Sequence, residues 1–551
     1  MSPNPVLAWT LIALGAGVTS PTLAASAPPR SPYTYVHHPV STEIPGAQSA
    51  FDRGLTLVFA YEIWEAQRSF REAAGLDPSL AMAWWGIALT LGPNINFDPE
   101  PNNTEAAADS IARAKLLAKS RSTPEEREYI DALSVRYTSD PKPDFDKLAV
   151  AYRGAMRSLV GKRPNDPDAA ALYAESIMDL HPWRLWTTDG KPAADTPELV
   201  AGLENALSRN PSHIGLLHYY IHAVEASDDP GRALTIAHRL AALPVEPAAA
   251  HLVHMPAHIY FRVGDWASAV DANQHSVHQS LEFRLSANPK QERACGHCVD
   301  FLTYAYMMVG DETRARGSAQ DFEAMNKDPT NSLSVLMRFH EWDDLLAFPE
   351  PSADLKPGSG RNVHAVRGYW HFGRGLAFVA KNRTSSAEAE LNALLAEAAL
   401  APPAPVFGEA LDLQHSSDKL AQAGDADSLK MGAAILKARL AEAHNQTAQA
   451  AELLREAVRI QDTTPYSEPP TWFYPIRESL GAQLLKEHAA GEAEATFREG
   501  LRRSPHDPRL LLGLSEALSA EGREADAAAA RKEFQEVWRG SAPEPTQLAE
   551  L

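Results

Sequence analysis

The sequence predicts an all-α protein in which helical hairpins stack side by side into a superhelix, an α-solenoid. Apolar residues recur at the spacing of short amphipathic helices along almost the whole chain, and the alternation typical of strands is hard to find. A helix–turn–helix pattern also recurs, with a period of about 34 residues. Hairpins of this kind bury their apolar faces against their neighbours and line a concave surface.

Three segments carry the repeat most clearly. Each has alanines where two helices cross and an aromatic residue a few positions away, which allows close contact between the helices. Just before the middle segment, Pro256 suits the first turn of a helix, where its missing N–H costs nothing, and Gly264 within the segment is placed to end that helix. The three segments are residues 62–92, 258–277 and 491–522.

A Pro- and Gly-rich stretch, FPEPSADLKPGSG, divides the repeats into two groups. We therefore predict an N-terminal helical body at 46–343, a linker at 344–362 and a C-terminal helical body at 363–551.

The N-terminus predicts export. VLAWTLIALGAGV is a short apolar core, and the small residues of TSPTLAAS follow it, as near a signal-peptide cleavage site. No basic residue precedes Arg30, so the usual basic start is missing, and a disordered tail is the alternative. We expect a signal peptide at 1–26, a Pro-rich leader at 27–45 and a periplasmic or secreted mature chain.

Composition limits the possible partners. The chain has 551 residues, 44% hydrophobic and 22% charged, as in ordinary globular proteins. Its net charge of −20 argues against a nucleic-acid partner, because binding to phosphates needs a basic face. No apolar run reaches the roughly 18–20 residues of a membrane-spanning helix.

Several long motifs resemble one family. They are similar to bacterial tetratricopeptide-repeat (TPR) proteins, a largely uncharacterised group, and the resemblance runs over nearly all of the mature chain. It implies a TPR-like fold and no activity. The chain departs from the family at Glu62 and Ile63, where an Asn-His pair is usual, and at 297–300, where His-Asn-x-His is common. The motifs are AMAWWGIALTLGPNIN (81–96), DGKP (189–192), HYYIHAVEAS (218–227), HLVHMPAHIYFRVG (251–264) and YSEPPTWFYPIRESLGAQLL (466–485).

Histidines concentrate in one part of the chain, where eleven of the 20 fall between residues 181 and 297. His218, His222 and Glu225 are spaced i, i+4 and i+7, so on a helix they share one face. Two imidazoles at that spacing can reach one metal ion, and a carboxylate can complete or orient the shell.

A second group follows about one repeat later. From His222 to His258 is 36 residues, and equivalent helices of successive repeats are neighbours in a solenoid. We therefore expect His251, His254 and His258 to converge with the first group. The alternative is ordinary packing of histidines and tyrosines in a helical core.

The candidate cofactor is a transition metal ion. Imidazole-rich sites suit copper, zinc or iron better than hard cations that prefer oxygen ligands. Such a site predicts an enzyme, either hydrolytic, with Glu225 as general base or metal ligand, or oxidative. The alternative is a non-enzymatic TPR adaptor whose concave face binds a partner protein or peptide.

Two aromatic segments are candidates for contact with a small-molecule or peptide ligand in the concave cavity. His181, Trp183 and Arg184 precede the first histidine group by about one repeat, and Trp472 and Arg477, with Glu468, come from the C-terminal body. An Arg among aromatic side chains can hold a ligand. Buried packing at helix ends is the alternative for both segments.

The only two cysteines lie in the segment CGHC, residues 295–298. A thioredoxin-like strand–helix setting is missing, so a thiol oxidoreductase is disfavoured. A local disulfide, extra metal ligands together with His297, or a plain structural pair remain as interpretations.

Overall fold

The computed structural model describes residues 33–287, 295–403, 405, 413 and 416–540. Within them the protein is all-α, which confirms the predicted fold class, and the described backbone forms no strand beyond two isolated bridges. The predicted signal peptide and the beginning of the leader lie outside the described residues. Over the described part of the chain, every helix is too short or too polar to cross a membrane.

The helices follow one another through short connections and pack as antiparallel pairs. The first thirteen are α1 (Pro45–Phe59), α2 (Ile63–Leu76), α3 (Ala81–Leu89), α4 (Pro101–Ala118), α5 (Pro124–Ser134), α6 (Phe145–Lys162), α7 (Pro167–Met178), α8 (Thr196–Arg209), α9 (Ile214–Val224), α10 (Leu234–Ala241), α11 (Ala250–His254), α12 (Pro256–Val263) and α13 (Trp266–Ala287). Short 3₁₀ turns at Pro230–Ala233 and Pro247–Ala249 flank α10.

The remaining helices are α14 (Gly296–Val309), α15 (Glu312–Asn326), α16 (Thr330–Arg338), α17 (Trp342–Ala347), α18 (Val363–Ala380), α19 (Thr384–Leu400), α20 (Ser416–Ala443), α21 (Thr447–Thr463), α22 (Arg477–Lys486), α23 (Ala490–Arg503), α24 (Pro508–Ala520) and α25 (Glu524–Val537). The three segments that carry the repeat correspond to the pairs α2–α3, α12–α13 and α23–α24. The expected helix start and stop are confirmed: Pro256 begins α12, and Gly264 ends it with a φ of 75°.

The stretch that was expected to be a linker begins inside α17 and has no helix between Phe348 and Asn362. It is tied to the preceding helices, since the Gly358 N–H donates to the Asn326 carbonyl over 2.6 Å. One continuous cluster of buried apolar side chains extends from Val36 to Ala530. The helices before and after this stretch therefore share a core.

Gly264 is a point where the N-terminal and C-terminal helices come close. A Cβ at this position would lie 2.0 Å from the Pro505 carbonyl oxygen, and the positive φ adds backbone strain for any residue other than glycine. We expect Gly264→Ala to lower the free energy of unfolding by about 2–4 kcal/mol, measured by urea denaturation. Gly202→Ala, in open space on α8, is the control and should not destabilise; an equally stable Gly264→Ala protein would contradict the expectation.

Candidate metal centre

The two histidine groups lie on neighbouring helices. His218 and His222 project from α9, His251 and His254 from the short helix α11, and His258 from α12. The rings of His222 and His258 are 5.7 Å apart although 36 residues separate them in the sequence. The rings meet because α9 and α12 pack against each other in consecutive hairpins.

Three of these histidines, which we call the first triad, each offer a ring nitrogen within 4.8 Å of the other two: His218, His222 and His251. His218 Nδ1 donates to the Phe59 carbonyl over 2.6 Å, and His222 Nδ1 donates to Glu225 over 2.7 Å. The Nε2 of His218 faces the Nε2 of His251 at 3.2 Å. The His222 Nε2 is buried and has no hydrogen-bond partner.

The second triad consists of His254, His258 and His297, whose ligand atoms also lie within 4.8 Å of one another. His254 Nδ1 is held by the Asn273 side-chain oxygen at 2.6 Å. Its Nε2 lies 2.8 Å from the Nε2 of His258. His297 is the solvent-accessible member, and its ring centre is 4.9 Å from that of His254.

Two buried carboxylates flank His258 on the side away from His254. Its Nδ1 lies 2.6 Å from Glu225 and 2.8 Å from Glu468. Burial lowers the pKa of His258, but these two carboxylates outweigh burial and raise it to about 10. Burial would raise the pKa of Glu225, whereas His258 and His222 lower it to about 2. Glu225 is therefore an anion that contacts His222 of the first triad and His258 of the second.

The other imidazoles of the cluster are neutral. Burial lowers the pKa of His218, His251 and His254 well below the usual value, and neighbouring histidines add to the effect. His297 reaches solvent, but the protein packed around its ring and the charge of His258 lower its pKa. Neutral imidazoles are the form that binds transition metals, so an ion in the second triad would have to displace the Nε2 proton that the raised pKa of His258 keeps on that ring.

A cavity of about 540 Å³ opens beside the second triad. His297 and Glu468 line it, and so does Trp183, whose ring packs edge-on against that of His222 with the ring centres 5.6 Å apart. Tyr466 also lines the cavity, and its hydroxyl donates to Glu468. Burial raises the pKa of Glu468 even though His258 opposes the shift.

The remaining candidate ligand residues lie elsewhere around the cluster. His181 is 3.6 Å from Asp195 and is not among the metal-ligand groups, and Arg184 is half-buried next to Trp183. Trp472 and Arg477 line a second cavity of about 220 Å³, which also touches Glu468. The guanidinium of Arg477 makes two 2.7 Å hydrogen bonds to Asp462.

The structure adds two residues to the cluster that the histidine spacing did not include. His297 comes from the start of α14, and Glu468 comes from the segment before α22, some 240 residues after Glu225. Two sequence signals were available: a histidine inside CGHC and an acidic residue before paired prolines. Neither signal specifies which cluster the residue will join.

Cys295 and Cys298 form a disulfide across the first turn of α14. His297 lies between them. The disulfide therefore encloses the residue that supplies the solvent-accessible ring of the second triad.

Comparisons with known proteins give a limited picture. No family model matches the chain. An uncharacterized protein of Aquifex aeolicus (strain VF5) is 39% identical over 85 residues, which are 15% of this chain and 10% of that protein. The chain thus spans about a tenth of the length of the curated relative it matches.

Among solved structures, a human IFIT1 dimer with m7Gppp-AAAA is similar with a TM-score of 0.33 and 12% identity, over 90% of this chain and 91% of that chain. An IFIT1 dimer with PPP-AAAA has a TM-score of 0.32 and 14% identity, over 88% of both chains. At such low similarity the ligands of IFIT1 say nothing about this chain.

Proposed function

We propose that this chain is an exported TPR-like protein whose two histidine triads hold transition-metal ions, and that it is a metal-dependent enzyme. The substrate is a small molecule or peptide that enters the 540 Å³ cavity beside the second triad. Copper, zinc and iron all suit a set of neutral imidazole nitrogens. The first triad lies deeper than the second, which borders the cavity through His297.

One observation carries this proposal: the orientation of the imidazoles. Nδ1 of His218, His222 and His254 is anchored by a carbonyl, a carboxylate and an amide oxygen respectively. Metal-bound histidines are held in this manner, with the second nitrogen directed at the ion. The Nε2 of His222 is one of several buried polar atoms in the described part of the chain without a hydrogen-bond partner, and a metal ion would supply the partner that such an atom normally has.

Two carboxylates beside the triads can orient the imidazoles and transfer protons. Glu225 and Glu468 hold a proton at Nδ1 of His258 and so direct its Nε2 toward the second triad. With a pKa of about 2, Glu225 suits orientation of the two rings better than proton transfer. Glu468 lines the cavity and has a raised pKa, so it is the better general base.

A bound ion would supply Lewis-acid activation of a water or carbonyl in a hydrolase, or one-electron chemistry in an oxidase. The residues present fit either, because three imidazoles leave further coordination positions open to a substrate or water. The concave cavity limits access of bulk water to that position.

The metal content of the purified protein tests the proposal. We expect elemental analysis of wild-type protein, purified without a chelating tag, to find at least one and up to two equivalents of a transition metal per chain, because each triad can hold one ion. Protein stripped with a chelator and reconstituted should regain the same content. A wild type that stays metal-free after reconstitution would refute the metal enzyme and favour the adaptor.

A further inference from the structure

One face of α14 forms a wall of the cavity. His297, Asp300, Tyr304 and Met307 all line it, at spacings of i, i+3, i+7 and i+10. A helix rises about 1.5 Å per residue, so this wall extends roughly 15 Å from the second triad along α14. A ligand that lies along the wall meets the metal centre, then a carboxylate, then apolar side chains.

The charges that line the cavity are compensated, with one exception. Arg361 lies 3.5 Å from both Asp328 and Asp425, and the Asn362 N–H donates to Asp425 over 2.7 Å. Glu468 faces His258 at 2.8 Å. Each of these carboxylates therefore has an ion pair, although Asp328 and Asp425 share Arg361, which also acts electrostatically on Asp300.

Asp300 is the exception. Its one described hydrogen bond comes from the neutral amide of Asn331, at 2.8 Å, and no ion pair to it forms among the described residues. Burial raises the pKa of Asp300 to about 6, although Asn331 and Arg361 oppose the shift. Asp300 is thus a half-buried carboxylate without an ion pair to any described residue. Arg361, the cation that acts on it, also serves Asp328 and Asp425, so a cationic ligand would relieve a local excess of negative charge.

Aromatic residues also line the cavity, among polar side chains that include Asn331 and Ser334. They are Tyr304, Phe322 and Phe473. Aromatic faces stabilise a neighbouring cation and accept apolar groups, so this wall suits an organic amine better than an inorganic cation.

We propose that the cavity binds a molecule with a free primary amine, whose ammonium group pairs with Asp300 and whose apolar part lies along Tyr304 and Met307. The amine then sits about one helical turn, roughly 4.5 Å along the axis, from His297. This is the spacing expected when a free α-amino group adjoins the bond presented to the metal. A short peptide or amino-acid amide with an unblocked N-terminus and apolar side chains fits these conditions. The claim that this amine is a substrate rests on the proposed function. The claim that the cavity binds the amine does not.

Calorimetry with two matched probes tests the assignment. The dipeptide amide Phe-Leu-NH₂ carries a positive charge that its N-acetylated form lacks, and the acetyl group is the other difference between them. We expect chelator-treated wild-type protein at pH 7 to bind the free amine at least tenfold more tightly than the acetylated form. Chelation prevents turnover, and it makes the result independent of whether the histidines hold a metal.

Asp300→Asn should abolish the preference for the free amine, because the amide replaces the carboxylate with little change in shape. Asp271→Asn removes an exposed carboxylate of α13 and should leave the preference unchanged. Equal affinity of wild type for both probes would overturn the proposal even if Asp300→Asn failed to fold. Tighter binding of a carboxylate-bearing probe, lost in Arg361→Met, would overturn it in favour of an anionic ligand.

Failure of the proposed enzyme and failure of the proposed amine site give different results. A metal-free wild type that still prefers the free amine would remove the proposed enzyme and keep the amine site. A metal-loaded wild type without that preference would keep the enzyme and remove its substrate class.

Discussion

Replacing His222 and His258 together by alanine should reduce the transition-metal content of the purified protein to less than a tenth of the wild-type value. Each triad loses one of its three nitrogen ligands in this variant. Two remaining imidazoles bind a metal much more weakly than three, because the ligand count and the enclosed geometry both set affinity. Elemental analysis of the two proteins, purified and reconstituted in parallel, measures the effect.

The matched control replaces two histidines that are also on a helix but lie in solvent. His275 and His278 on α13 are 66% and 72% exposed, so His275→Ala/His278→Ala should keep the wild-type metal content. Circular dichroism must show that His222→Ala/His258→Ala keeps its helices, because Glu225 and Glu468 lose their cationic partner in it. If that variant unfolds, His251→Ala, at a half-buried position, replaces it for the first triad. A folded double variant that retained its metal would show that the triads are not the binding site.

Arg338→Met should lower the free energy of unfolding by about 3–5 kcal/mol. The Arg338 guanidinium is completely buried and pairs with the buried Glu478 through contacts of 2.6 and 3.1 Å. Methionine fills a similar volume but leaves the Glu478 carboxylate in a low-dielectric interior without its cation. Since Arg338 ends α16 and Glu478 lies in α22, the loss loosens the contact between helices on either side of the predicted linker. Urea denaturation followed by circular dichroism measures it.

An exposed ion pair provides the comparison. Arg502 pairs with Glu499 on the surface of α23, and Arg502→Met should cost less than about 1 kcal/mol because solvent screens the pair. The double variant Arg338→Met/Glu478→Leu should recover part of the stability lost in Arg338→Met, because it removes the isolated charge. A loss below about 1 kcal/mol in Arg338→Met would mean that Glu478 finds another partner or water, contrary to the expectation.

The helical hairpins were accessible to prediction because they depend on local information. The apolar periodicity of residues 62–92 and 491–522 predicts two helices in each segment, and both pairs form. Pro256 begins α12 because its ring fixes φ near the helical value. Gly264 ends the same helix because glycine adopts a positive φ without strain. Such signals act over a few residues and need no knowledge of distant parts of the chain.

The sequence predicted only some of the residues of the candidate site. The i, i+4 spacing on α9 and the one-repeat separation to α12 bring His222 and His258 close together, because both follow from the helix and the hairpin. Repeat geometry does not specify how six rings divide between two centres. It also does not predict Glu468, which reaches His258 from a distant segment.

By itself, then, the sequence determined the all-α fold class, the positions of the repeat hairpins and the helix face on which the first histidines lie. Only the tertiary structure decided the division into two triads, the addition of His297 and Glu468, and the cavity in which Asp300 has no ion pair to any described residue. The physical reason is the separation along the sequence over which each effect acts. Helix periodicity and turn chemistry act between residues that are close in sequence. Coordination and charge compensation depend on which distant side chains the packing brings within a few ångströms of one another.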